Sequence, residues 1–560
     1  MNIRIGSLCA FTLISLLSLF AFAGQAGAQN YIFGSLYDFC AGPQDTPCTD
    51  GILPETALVQ DSSGNLYGTT TYGSTNVNLY CGFLAPGCGT VFELNSAGQE
   101  TLLYSFCSAP NCTDGTFPNS ALILDAAGNL YGTTSNGGSS SVGNCMGSHF
   151  QTGGCGTVFR VDIKGREKVL YNFCSASNCT DGAGPNGLIR DAAGKLYGTT
   201  TGGGAYGGGT VFTLDHLNNV SHLTVLYSFC SEPNCADGSG PGGLLRDTAG
   251  NLYGTTYGGG ANNKGTVFKL DRSGHETVLY SFCSASNCTD GSGANPGLDQ
   301  DAAGNLYGTT SYGGAVNSNG FSGGTVFELE PPAQARGDWT ENVLYSFCSK
   351  GGYYCTDGEF PNGGLIRDGQ GKLYGTTGEG GDPLAGGGTV FKLGPRDGGG
   401  WNEYVLYTFC VGDPSCQDGQ YPSAGLIQDA AGNLYGTTAT GGNLYGNVSC
   451  FNLPLCGTVF EVTSGNTVVT LTSTPNPAQV DQPVTFSVVA LGAVDSATPS
   501  GSVTFEEGTT PVGTVTLIDG QASFTTTFTQ SREFSIKAIY SGDENYKATK
   551  SKPLKQLVEK

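Results

Sequence analysis

The sequence predicts an all-β protein: a seven-bladed β-propeller closed by its own N-terminal strand, followed by a β-sandwich. Three observations carry that expectation. A turn followed by Leu-Tyr-Gly-Thr-Thr, as in Asp301-Ala302-Ala303-Gly304-Asn305-Leu306-Tyr307-Gly308-Thr309-Thr310, occurs seven times, with its turn glycine at Gly64, Gly128, Gly194, Gly250, Gly304, Gly371 and Gly432. The same companions surround the copies in one order: an apolar run such as Gly364-Leu365-Ile366-Arg367, the phrase, Gly-Thr-Val-Phe, then Val-Leu-Tyr-Ser-Phe-Cys. The two ends of the repeat array are incomplete in complementary ways.

The phrases are separated by 54 to 67 residues, and a long unit rich in short strands points to a propeller or solenoid. In the fifth unit the strand candidates are Gly297-Leu298-Asp299-Gln300, Asn305 to Thr310, Thr325 to Leu329 and Val343 to Phe347. β-Branched and aromatic residues fill the last three, and glycine clusters separate them. The ends choose between an open and a closed array. Leu36-Tyr37-Asp38-Phe39-Cys40 matches a fourth strand with no first three before it, and Gly457-Thr458-Val459-Phe460-Glu461-Val462 matches a third strand with no fourth after it. The N-terminal strand therefore completes the last blade and removes a free sheet edge.

Before the repeats, Ile3 to Ala28 carries Arg4 as its only charge, an apolar stretch from Leu8 to Ala23, and the small residues Ala26-Gly27-Ala28. Residues 1–28 read as a signal peptide, so the expected location is secreted or at the cell surface after its cleavage. No later stretch reaches the eighteen or so apolar residues of a membrane span, so no membrane insertion is expected. The formal net charge of −22 argues against nucleic acid as a partner, which would be repelled. The repeats occupy residues 30–463. Beyond them cysteine stops and glycine thins, and residues 466–552 alternate in the manner of a sandwich, for example Val484-Thr485-Phe486-Ser487-Val488 and Phe534-Ser535-Ile536-Lys537-Ala538. Residues 553–560 read as a polar tail.

Without Cys9, which falls in the signal segment, the cysteines form ten near neighbours: Cys40 with Cys48, Cys81 with Cys88, Cys107 with Cys112, Cys145 with Cys155, Cys174 with Cys179, Cys230 with Cys235, Cys283 with Cys288, Cys348 with Cys355, Cys410 with Cys416, and Cys450 with Cys456. An even count in an exported chain favours local disulfides. Structural zinc needs four ligands together, whereas each loop offers one pair. Antiparallel strand order places loops after the fourth strand and after the second strand at the same end, so all ten pairs are expected on one face.

The sevenfold Leu-Tyr-Gly-Thr-Thr, preceded by Gly-Asn in five copies and by Gly-Lys in two, with Gly-Thr-Val-Phe resembles the tandem repeat of exported bacterial choice-of-anchor GloVer-repeat proteins. That resemblance implies export and a variable C-terminal sorting segment, with no activity attached. The tail, Leu554-Lys555-Gln556-Leu557-Val558-Glu559-Lys560, departs from a sorting segment. Pro499-Ser500-Gly501-Ser502-Val503-Thr504-Phe505, with Tyr540-Ser541-Gly542-Asp543, resembles a bacterial Ig-like domain, which implies a spacer or adhesive role.

Seven aspartates precede glycine after the second loop cysteine: Asp50, Asp114, Asp181, Asp237, Asp290, Asp357 and Asp418. Set around a channel mouth they could hold Ca²⁺, which takes several oxygen ligands. The stronger expectation is that each caps its own turn and that no cofactor is bound. His149, His216, His222 and His275 do not recur with the repeat, and no nucleophile elbow or phosphate loop is present, so no catalytic residue can be named. Three glycine-rich loops carry their own cysteine pair, in the first, second and seventh blades, which adjoin in a closed ring. Their Tyr80, Phe83, His149, Phe150, Tyr445 and Phe451 form the expected ligand-binding patch. The leading functional expectation is a non-enzymatic propeller binding an extracellular glycan or surface protein. A polysaccharide hydrolase or lyase and a structural surface-coat protein are the alternatives. Neither ligand identity nor oligomeric state is encoded legibly. Peptide mapping without reduction is expected to return ten local cysteine pairs; crosslinks between distant repeats, or free thiols throughout, would reject the assignment.

Overall fold

Each sheet is built on one contact between two of the repeated phrases. The glycine of Leu-Tyr-Gly-Thr-Thr pairs in register with the phenylalanine of Gly-Thr-Val-Phe, as in Gly68 with Phe92 and Gly254 with Phe268. A β-carbon on Gly68 would stand 2.5 Å from the Phe92 ring. The same notch recurs at Gly132, Gly198, Gly254, Gly308, Gly375 and Gly436, at 2.5 or 2.6 Å. Only glycine leaves room for the ring. The phenylalanines it admits are fully or almost fully buried.

The computed structural model describes residues 32–560 apart from 41–47, 75–80, 82–86, 97, 140–153, 218–219, 318–319, 335–336, 351–354, 383–385, 397–398, 413–415, 443–455, 464–467, 492–498, 509, 544–547 and 552. The signal segment lies outside these residues. The described chain is all-β with short 3₁₀ turns. Seven antiparallel sheets follow one another along the repeats. In the fourth, the strands are Ser239–Arg246, Leu252–Gly258, Thr266–Leu270 and Glu276–Ser281, paired in that order.

The seventh sheet contains Ile427–Gln428, Leu434–Thr438 and Thr458–Thr463, and its fourth strand is the first of the chain, Ile32–Asp38. The pairing runs from Ile32 opposite Thr463 to Asp38 opposite Thr458. In the fifth sheet the innermost strand differs from expectation. It begins at Ser292–Ala294 and resumes at Asp299–Gln300 after a break at Pro296. Proline cannot donate to the ladder, so the glycine- and proline-rich first half of this strand does not read as one.

Neighbouring sheets are locked by a second phenylalanine, that of Tyr-Ser-Phe-Cys. It meets the notch phenylalanine of the next sheet edge to face: Phe106 with Phe159 at 4.9 Å, Phe229 with Phe268 at 5.0 Å, Phe409 with Phe460 at 5.3 Å. Phe39 with Phe92, at 5.2 Å, joins the seventh sheet to the first in the same way. Backbone bonds repeat the pattern. The N–H of Phe117 donates to the Cys88 carbonyl at 2.9 Å, that of Tyr421 to Gly387 at 3.0 Å, and that of Leu53 in the first sheet to Cys456 in the seventh at 3.0 Å.

The C-terminal part holds a three-stranded sheet, Val468–Thr474, Pro483–Leu491 and Gln521–Thr527, and a second sheet that includes Ser502–Glu507, Thr510–Thr516 and Glu533–Tyr540. Phe486, Phe505, Ile536 and Tyr540 are among the side chains of its core. The segment expected to be a polar tail, 553–560, instead carries the strand Leu554–Glu559, paired with Glu533–Tyr540. Gln556 and Val558 point inward and are buried, while Lys555, Leu557 and Glu559 are exposed. That period of two is short and rich in polar residues, which hid it.

Phe33 in the closing strand stacks on Tyr407 of the sixth sheet at 4.3 Å and lies 5.9 Å from Phe460. Substituting Phe33→Ala is expected to cost roughly 3 kcal/mol of stability, as for other phenylalanine truncations in packed sites. Deleting residues 31–39 is expected to expose the edge of Thr458–Thr463 and lower Tm further. Calorimetry checks both, and unchanged melting after the deletion would show that this strand closes nothing.

Candidate functional site

The innermost strands of all seven sheets line a single cavity of about 340 Å³, with Glu55, Asn119, Asn186, Gly243, Pro296, Asn362 and Ser423 among its wall. These residues lie close after the cysteine loops, so they stand at the disulfide-bearing end. In five of the seven copies the first threonine of Leu-Tyr-Gly-Thr-Thr stitches its sheet to the next. Thr199 donates to the Gly242 carbonyl at 2.8 Å, Thr255 to Asn295 at 2.9 Å, and Thr376 to Ala424 at 3.0 Å. Thr437 donates to Thr56 at 3.3 Å, again joining seventh sheet to first. The Asn119 amide donates to the Pro185 carbonyl, and the buried Asn295 amide to that of Pro361. Most of the polar wall is thus committed to holding the sheets.

Glu55 differs from its neighbours. Its side chain touches solvent in the cavity mouth, yet surrounding protein raises its carboxyl above the ordinary value, opposed by a hydrogen bond from Thr71 at 3.1 Å.

Around the mouth, one position per sheet is held in the left-handed region. Glycine occupies it at Gly184, Gly240 and Gly293, but Leu53 (φ 58), Phe117 (φ 57), Phe360 (φ 55) and Tyr421 (φ 58) occupy it elsewhere. Two of these rings pack edge to face on an aromatic residue of the preceding sheet: Phe117 on Tyr72 at 5.2 Å and Phe360 on Tyr312 at 5.5 Å. Tyr312 in turn neighbours Tyr257, since a β-carbon on Gly293 would stand 3.4 Å from both rings. Tyr257 and Tyr312 are 60% and 48% exposed. The other strongly exposed aromatics described in the repeats, Tyr206, Phe321 and Tyr421, belong to the same end. Sequence reasoning missed Tyr257 and Tyr312, because both close the recurring second strand and read as strand residues.

The candidate ligand patch of Tyr80, Phe83, His149, Phe150, Tyr445 and Phe451 lies outside the described residues, as do Cys145 and Cys450. Eight local disulfides are described, pairing Cys40–Cys48, Cys81–Cys88, Cys107–Cys112, Cys174–Cys179, Cys230–Cys235, Cys283–Cys288, Cys348–Cys355 and Cys410–Cys416. One expectation needs correction: the pairs are not all isolated. The sulfurs of Cys81, Cys88, Cys107 and Cys112 lie within 4.8 Å of one another. The two loops that meet at this end of a sheet bring their pairs together, and bonded as disulfides they offer no thiolates to a metal.

The seven aspartates Asp50, Asp114, Asp181, Asp237, Asp290, Asp357 and Asp418 each have a local partner. Each accepts a hydrogen bond from the tyrosine of a fourth, outermost strand: Tyr37, Tyr104, Tyr171, Tyr227, Tyr280, Tyr345 and Tyr407, at 2.7 to 3.0 Å. The same oxygen also accepts a loop N–H, as Asp114 does from Ser108 at 2.8 Å. The local loop and its own strand thus claim each carboxylate.

A set of glutamates goes with them. Burial, with a further push from Asp114, raises Glu167 to about 8. Burial, then Asp237 and Glu232, raises Glu276 to about 8. Glu100 and Glu341 rise to about 7 by burial and by Asp50 and Asp290. One oxygen on each of these four glutamates is buried without a hydrogen bond.

The fold defines the class as an all-β repeat protein with a C-terminal sandwich module. The chain belongs to the Gloeobacter/Verrucomicrobia repeat family, whose pattern matches residues 143–357 and 287–473, more than half of its length. The bacterial Ig-like domain (group 3) matches residues 471–559. No curated protein matches the chain. Solved structures similar to it include the extracellular domain of a one component system from B. thetaiotaomicron, 12% identical with a TM-score of 0.44, which covers 95% of this chain and 58% of that one. The chain therefore spans less than two thirds of that domain. Another is the PQQ-bound aldose sugar dehydrogenase of Streptomyces coelicolor, 12% identical, TM-score 0.33, covering 78% of this chain and 99% of that one. A protein of unknown function from Dyadobacter fermentans is 10% identical, TM-score 0.35, covering 66% and 97%. Among the described residues no helix is long and apolar enough to cross a membrane.

The raised glutamates fix the sign of a pH dependence. A carboxyl raised by folding binds its proton more tightly in the native state, so its contribution is complete below the ordinary glutamate value and is lost as pH rises toward the folded value. For Glu276 the window runs from 4.5 to about 8. Tm is expected to fall between pH 5 and pH 8, and Glu276→Gln to flatten that slope and raise Tm at pH 8. Calorimetry across the pH range reads both; a slope unchanged by the substitution would remove this glutamate as a cause.

Proposed function

We propose that the seven sheets close into a seven-bladed propeller, residues 30–463, and that the chain is exported and binds an extracellular ligand, a glycan or surface protein, at its disulfide-bearing end. The Ig-like domain then serves as a spacer or adhesive module. One observation carries this reading: the strongly exposed aromatic side chains described in the repeats, Tyr206, Tyr257, Tyr312, Phe321 and Tyr421, all belong to that end. Exposed aromatic rings clustered on one face mark recognition surfaces, because each buries a large area with little loss of conformational freedom. The tethered loops bearing Tyr80, Phe83, His149, Phe150, Tyr445 and Phe451 extend the same end in this proposal.

A hydrolase or lyase reading has one observation in its favour. Glu359 and Glu379 stand directly opposite on neighbouring strands. Burial, then Glu379, raises Glu359 above its ordinary value. A facing pair of carboxyl groups is the equipment of glycosidic bond cleavage.

A glycan array and a panel of purified surface proteins, with product analysis of every bound polymer, test these readings together. Binding without new reducing ends is expected. The triple substitution of Phe83, Phe150 and Phe451 by alanine is expected to weaken it at unchanged Tm. Cleavage products that disappear in Glu359→Gln would establish the enzyme instead. No ligand on either panel would leave the repeat array with a purely structural role.

A further inference from the structure

We infer that Tyr257, Tyr312 and Phe360 form a stacking platform for a neutral oligosaccharide, at the rim of the cavity on the fourth to sixth sheets. The inference rests on the ligand-binding reading above and names the ligand class. Three features of the platform lead to it.

The first is the way the rings are presented. Tyr257 and Tyr312 are side by side over Gly293, whose φ of 66 and missing side chain bring both rings within 3.4 Å of where a β-carbon would stand. Phe360 meets Tyr312 edge to face at 5.5 Å, and its backbone is held in place by the bond from its N–H to the Gly323 carbonyl at 2.9 Å. Tyrosines so exposed would be costly to leave in water as apolar surface, yet they are fixed by the strand ends that carry them. Two exposed tyrosine rings, with the edge-on Phe360 ring beside Tyr312, offer aromatic faces and hydroxyls that complement the apolar C–H face of a pyranose ring and its equatorial hydroxyls.

The second is the continuation into the cavity. Phe360 lies in the strand Glu359–Pro361, which leads directly to Asn362 in the wall, and Gly293 precedes Asn295 and Pro296 by two and three positions. A chain of sugar rings laid across the tyrosines therefore ends at a concave mouth lined by amides, hydroxyls and the Glu55 carboxylate.

The third is charge. Glu359 and Glu379 stand opposite each other beside Phe360, and Glu55 stands across the mouth. Of the nearby cations, Lys350 is held by Glu403, which leaves exposed Lys264 at the fourth-sheet end of the platform. Carboxylates accept hydrogen bonds from sugar hydroxyls and repel uronic acids or sulfate esters. The platform thus selects neutral sugars.

The test uses the full-length secreted chain and neutral hexasaccharides of glucose, mannose and xylose, with oligogalacturonate as the acidic counterpart, by titration calorimetry. At least one neutral hexasaccharide is expected to bind more tightly than oligogalacturonate. The double variant Tyr257→Ala/Tyr312→Ala is expected to weaken it roughly tenfold, the loss of two aromatic contacts. The variant Tyr257→Phe/Tyr312→Phe, which keeps the rings, is expected to lose less. Both positions are exposed, so Tm serves as the control for folding. Equal binding by wild type and the alanine variant would overturn the platform. So would a preference for oligogalacturonate, or binding of a surface protein alone, and in those cases the ligand-binding reading stands. Absence of any ligand in this assay and in the panels above overturns both.

Discussion

The contact on which the repeat array depends is the phenylalanine ring seated over a missing β-carbon. Gly68 and its six counterparts leave a notch on the second strand, and the third-strand phenylalanine fills it. The ring then stands at the depth where the Tyr-Ser-Phe-Cys phenylalanine of the preceding sheet can reach it. Phe106 on Phe159, Phe173 on Phe212 and Phe39 on Phe92 are the same contact at different junctions. Fill the notch with any side chain and the ring moves outward, so a defect inside one sheet becomes a misfit between two. This is why the glycine and the phenylalanine travel together in every copy, and why cores of such repeats add through neighbours rather than forming one central mass.

The cysteine loops solve a different problem in the same repeated way. Within one loop Cys107, Asn111 and Cys112 all adopt left-handed backbone, at φ 61, 56 and 52. Non-glycine residues pay about 1–2 kcal/mol for that conformation. The disulfide ties the two cysteines, and Asp114 reaches back to the Tyr104 hydroxyl and the Ser108 N–H. Cysteine pair, aspartate and outer-strand tyrosine are one structural unit, and its carboxylate sits against the outer strand because the tyrosine is there. The neighbouring glutamate, buried near that charge, is then held protonated at higher pH than usual.

Much of the fold was legible because the repeat states it seven times. Leu-Tyr-Gly-Thr-Thr and Gly-Thr-Val-Phe alternate as strands do, and the unmatched Leu36-Tyr37-Asp38-Phe39 at one end is paired with Thr458–Thr463 at the other. What escaped was set by chemistry that the pattern does not carry. The innermost strand at Ser292–Ala294 is written in serine, glycine and alanine, and Leu554–Glu559 alternates too briefly and with too many charges to stand out. Tyr257 and Tyr312 were passed over because their exposure arises only from where the strand ends.

The rim of the cavity shows how a regular array makes a particular site. At seven equivalent positions the backbone must turn left-handed so that its N–H can reach the preceding sheet, and glycine meets that demand at Gly184, Gly240 and Gly293 without strain. At Phe117 and Phe360 the strain is accepted, and each ring packs on a tyrosine of the preceding sheet. The two solutions are complementary across one junction. Gly293 leaves open the space into which Tyr257 and Tyr312 lean, while Phe360 supplies the edge that braces Tyr312. An exposed aromatic cluster therefore arises where glycine and phenylalanine occupy successive copies of one position. Variation at that position, with the notch and the cysteine unit unchanged, is enough to give the fourth to sixth sheets this surface.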